Sequence, residues 1–113
     1  MKTVKELVGP NIQVETVTRD IALEVPFEGK LVEAMKSAIQ KLDPEGIPVP
    51  YLMSSGTDNK ALSDLGIVGY GFSPLRLPAD LDFMALFHGV DERIPLESLE
   101  FGVKALEDFL LNS

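Results

Sequence analysis

An α/β layer structure is the architecture this sequence predicts. Two observations point to it: stretches with the three-and-four spacing of amphipathic helices alternate with short β-branched or apolar runs, and turn residues separate them throughout. The 113 residues suffice for one domain, and 45% apolar with 25% charged residues is ordinary globular composition.

The first element is a short helix over residues 3 to 8, because Thr3-Val4-Lys5-Glu6 has the spacing of a capping box and Gly9-Pro10 supplies a stop. Residues 11 to 18 then place Ile12, Val14 and Thr16 on one face, as a half-buried strand would. From Arg19 to Glu28 no period holds, and Pro26 and Gly29 punctuate the segment, so a connector or domain boundary belongs here. Leu31, Val32, Met35, Ala38, Ile39 and Leu42 form the apolar stripe of a helix over about 29 to 42. The run IPVPYLM, with its two prolines, suits the edge or entrance of a strand. A short helix over 58 to 65 is expected to start at Thr57 or Asp58 and to close at Gly66. IVGYGF, 67 to 72, reads as a buried strand, and Ser73 to Phe87 as a long loop. Pro95 opens a last helix whose stripe is Leu96, Leu99, Val103, Leu106 and Leu110.

Composition excludes several functions. Eighteen acidic against ten basic residues give a net charge of -8, which repels phosphate backbones, and with no tryptophan there is little on which bases could stack. Nucleic acid is therefore not an expected partner. The absence of cysteine removes disulfides, thiolate nucleophiles and cysteine-held zinc. No apolar run is long enough for a membrane span, and the opening residues lack a signal peptide's apolar stretch, so the expected compartment is the cytoplasm.

His88 is the only histidine, set between an apolar run and the charged turn Val90-Asp91-Glu92-Arg93. It is a candidate metal ligand, the alternative being a loop histidine bonded to nearby backbone. Ser54-Ser55-Gly56-Thr57-Asp58-Asn59 lies between an extended run and a helix, where N-H groups and hydroxyls could receive an anion or merely cap the helix. Asp80 with Asp82, and Asp91 with Glu92, are carboxylate pairs that also suit a solvated surface. The glycines of GYGF lack the context of a dinucleotide site, and the serines lack the nucleophile-elbow pattern.

Three blocks in order, SSGTDNKALSDLGI, VGYGFSPLRLP and FHGVDERIPLESLEFGVKALEDFL, resemble the C-terminal part of the cocatalytic zinc aminoacylases, acetylornithine and succinyl-diaminopimelate deacylases and glutamate carboxypeptidases, often called metallopeptidase family twenty. The resemblance is strongest from residue 46 onward. It implies the C-terminal half of an αβα-layered catalytic domain, residues 20 to 113, preceded in residues 1 to 19 by the last helix turn and strand of an inserted ferredoxin-like lid. It further implies hydrolysis of an amide or peptide bond next to a free carboxylate, in a small peptide or N-acyl amino acid. By this likeness His88 matches the last ligand of a two-zinc site, and Gly56 and Thr57 match residues that hold the substrate's carboxylate end. Asp58 and Glu92 match recurrent residues with structural roles, a helix cap and an orienting contact, and Arg76 is a further candidate for an anionic substrate without a motif behind it.

The rest of that family's active site, including the bridging aspartate and the catalytic glutamate, has no counterpart in this sequence. The implied partner is thus the missing N-terminal catalytic half, and no catalytic residue is assigned here. Surfaces that half would cover lead to an expectation of self-association. The competing expectation is a non-catalytic acidic binding or assembly module derived from the same fold.

Overall fold

The computed structural model describes every residue except Asp20 and Ser54. The expected boundary at residues 19 and 20, and the first serine of the Ser-Ser-Gly-Thr turn, therefore fall partly outside the described residues. Among the described residues five helices make up the regular structure: α1 (Lys2–Val8), α2 (Lys30–Leu42), α3 (Asn59–Asp64), α4 (Phe83–Leu86) and α5 (Leu96–Asn112).

The predicted α/β architecture is not what forms. Among the described residues there is no strand and no sheet, so the αβα layering and the lid's terminal strand are both overturned. The three strand candidates, 11 to 18, 47 to 53 and 67 to 72, have residues suited to a pleated surface, but no second strand lies opposite any of them. β-propensity describes fit to such a surface and cannot supply the partner that a ladder requires. Ile67 and Val68, expected inside, are about half exposed as a result.

The helices follow local signals more closely. In α1 the helix starts at Met1 without a side-chain cap, so Thr3 and Glu6 are both inside it and the expected capping box is not made. Gly9 ends it with φ +76° and donates its N–H to the Lys5 carbonyl at 3.2 Å. α3 ends in paired reverse bonds: Gly66 donates to Ser63 at 2.9 Å and Ile67 to Leu62 at 3.0 Å. That pattern needs a left-handed residue at its corner, and Gly66 provides it with φ +74°. α4 falls inside the predicted long loop and starts at Asp82, whose carboxylate accepts the Ala85 N–H at 3.2 Å.

The core sits between α2 and α5, which pack on each other. α2 buries Val32, Met35 and Ala38 of its predicted stripe, whereas Leu31 and Leu42 at the two ends of that stripe are exposed. α5 instead buries Ser98, Gly102 and Ala105, while its predicted core stripe, Leu96, Leu99, Val103, Leu106 and Leu110, is exposed. The small residues allow close approach: the segment from Phe72 to Arg76 runs along α5 in the opposite direction. Phe72 meets Phe109 with ring centroids 5.2 Å apart, and Ser98 Oγ donates to the Arg76 carbonyl at 2.5 Å. A Cβ on Gly102 would lie only 2.9 Å from the Pro74 carbonyl oxygen. At the far end Lys41 Nζ reaches both carboxylate oxygens of Asp108 at 2.8 Å, and Tyr70 Oη donates to the Pro26 carbonyl at 3.0 Å.

The whole remains open. Its radius of gyration is 18.6 Å, whereas a compact chain of this length would have about 13 Å. Its accessible surface is 9490 Å², against about 6,100 Å² for a closed globule of this mass.

Candidate functional site

The turn after α4 is where the chain departs most from ordinary backbone. Phe87 closes α4 and stacks edge-on against Phe83, with centroids 4.9 Å apart. His88 follows with φ +58°, the single non-glycine residue of positive φ among the described residues. For an L-residue that conformation costs about 1–2 kcal/mol, and it persists where neighbouring contacts hold it. Here the contacts are local. The backbone N–H of His88 donates to Glu92 Oε2 at 3.2 Å, and Gly89 N–H returns to the Leu86 carbonyl at 2.9 Å. Arg93 pairs with the carboxylate of Asp91 and also donates to its carbonyl at 3.0 Å, bracing the other end of the turn.

The imidazole itself is exposed. Since nothing buries it, replacing His88 with glycine is expected to leave thermal stability unchanged or raise it by up to about 1 kcal/mol, the relief of left-handed strain exceeding the added chain entropy. Thermal denaturation of the two chains checks this, and a loss of more than that amount would mean the ring packs inward.

The other candidates lie in the turn before α3. Thr57 Oγ1 accepts the Asn59 N–H at 3.2 Å, whereas Asp58, at the first position before the helix, makes no side-chain cap bond. The hydroxyl therefore does the capping that was equally open to the carboxylate. Gly56 has open space around its α-carbon. Asn59, expected only as the last residue of that turn, has its side-chain amide in the place a Cβ of Gly69 would take. The signal was the glycine of Val-Gly-Tyr-Gly, which marks close approach once a neighbour is known. This contact joins the first block to the second, as Ser98 and Gly102 join the second to the third. Arg76 directs Nε toward Asp43 Oδ2 at 3.9 Å and is largely exposed.

Glu92 and His88 are thus brought together, and Thr57 and Asp58 share a turn, but the two turns make no hydrogen bond to each other among the described residues. Two surface cavities lie elsewhere: one follows the outer face of α2 along Lys36, Gln40 and Lys41, and the other lies beside α1 at Pro10 and Ile12. A catalytic zinc site takes about three protein ligands. Among the described residues no three histidine or carboxylate groups converge, so this chain's donors do not by themselves make up the two-zinc site. Comparison with models of known protein families, with characterised proteins and with solved structures finds no match. No helix is long and apolar enough to cross a membrane among the described residues.

Proposed function

We propose that the chain is the C-terminal piece of a zinc-dependent amidohydrolase or exopeptidase, contributing one metal ligand and part of the clamp for a substrate carboxylate. The observation that carries this reading is His88. It is the sole imidazole, it is exposed, and its backbone is held in a left-handed conformation by a glutamate four residues on. Strained, locally braced positions of this kind cluster at functional sites. The order of the three blocks supports the same reading, as does the way their glycines and serines bring neighbouring blocks into contact.

In this reading His88 offers a nitrogen to a metal whose other ligands come from a second polypeptide segment, and Glu92 is a positioning residue that fixes the turn. Gly56 and Thr57 stand in the turn before α3, and in this reading they meet the substrate's carboxylate end. Zinc, when bound by the full ligand set, supplies a polarised carbonyl and an acidified water.

One imidazole cannot hold zinc tightly, so the isolated chain is expected to be silent. Zinc-dependent hydrolysis of N-acyl amino acids or dipeptides by purified residues 1 to 113 would refute the reading. Co-expression with a segment supplying the remaining histidine and carboxylates is expected to restore it. Failure of every such pairing while the chain associates with the added segment would favour the acidic assembly module.

A further inference from the structure

The exposed stripe of α5 has an order of its own. Leu96, Leu99, Val103, Leu106 and Leu110 are separated alternately by three and four residues, the a and d positions of two heptads. All are solvent-exposed, Val103 at 59%, although the neighbouring face of the same helix is already buried on α2 and on the Phe72 to Arg76 segment. A helix apolar over so wide an arc is one covered on two sides.

The edges of this seam differ in charge. With Leu99 and Leu106 at d, the e positions are Glu100 and Glu107, both exposed. The g positions are Gly102 and Phe109, and these lie against Pro74 and Phe72. Residues at e and g set partner choice in such packings. Antiparallel pairing of two copies would put e against e, so glutamates would face glutamates between chains that each carry a net charge of -8. Parallel pairing would place e beside g, where the backbone of the 72 to 76 segment already lies. α2, the other helix of more than two turns, is already packed on α5.

We propose that the exposed seam of α5 docks an amphipathic helix of another polypeptide, aliphatic at its core positions and carrying lysine or arginine where it meets Glu100 and Glu107. The proposal is independent of any role for His88.

A peptide of about 18 residues, long enough to cover the seam, serves as probe, with leucine at a and d and lysine at e and g. Its glutamate counterpart and a scrambled lysine peptide of the same composition are titrated beside it into the full chain. Fluorescence anisotropy at about 0.15 M salt is the readout. The patterned lysine peptide is expected to bind at least about tenfold more tightly than either comparison. Val103→Asp should weaken it by about tenfold or more, although the added negative charge would tighten a merely electrostatic association. Glu100→Lys with Glu107→Lys should transfer the preference to the glutamate peptide, and Leu7→Asp on α1 should change nothing. Equal binding of patterned and scrambled lysine peptides overturns the proposal, as does no binding of either patterned peptide. So does a dimer in sedimentation that Val103→Asp dissociates, because the occupant would then be a second copy. Circular dichroism of each variant confirms that its helices are retained.

Discussion

Under the proposed function, replacing His88 with alanine in a complex of this chain with a segment supplying the remaining ligands is expected to reduce zinc-dependent turnover by at least about a hundredfold. Groups that merely orient a ligand already cost about 10–100-fold when removed, and a ligand itself costs more. The loss should appear together with a fall in bound zinc, measured by elemental analysis of the complex. Glu92→Gln is the informative companion. It keeps an oxygen that can accept the His88 N–H while removing the charge, so its effect should stay within about tenfold. A His88→Ala complex that retains its metal and its turnover would show that the ring is an ordinary exposed loop side chain. His88→Gly separates the two kinds of damage: it should abolish turnover while leaving the fold no less stable.

The second large effect is expected at Gly102. Valine there would drive its side chain into the Pro74 carbonyl and the Leu75 side chain, which a Cβ alone would already approach to 2.9 and 3.0 Å. Overpacking of this kind costs about 1–3 kcal/mol, and backbone that cannot rotate away puts this site at the upper end. Better helix propensity than glycine's returns only a few tenths to about 1 kcal/mol. The urea midpoint of Gly102→Val should therefore fall clearly, and Gly71→Ala, with nothing within 4 Å of the added carbon, serves as a neutral reference. Equal midpoints for Gly102→Val and the parent chain would mean that the segment beside α5 is held only loosely.

Residue order alone located α2 to within a residue and identified the end of α3, because helix stripes and a glycine at a reversal are local properties. It failed where the answer depends on distant chain. Residues 67 to 72 carry the composition of a strand, but a ladder needs a second strand from elsewhere. In α5, five large aliphatic residues outweigh Ser98, Gly102 and Ala105 in any hydrophobic pattern. Yet the smaller side chains let the 72 to 76 segment approach, and that contact decides which face turns inward. α4 was hidden by the prolines around it, although Asp82 before Phe83-Met84-Ala85-Leu86 carried the capping signal. For the candidate site, the identity of His88 was legible and its left-handed backbone was not. Nothing about a histidine demands positive φ, and the Glu92 contact that steadies it shows only in three dimensions.

The surplus of accessible surface has a thermodynamic corollary. About 3,400 Å² beyond a closed globule is area that a compact chain of this mass would keep from water. Any molecule that covers part of it in the folded state alone adds to the free energy of folding. The transition temperature should rise with the amount of such a molecule in the tube.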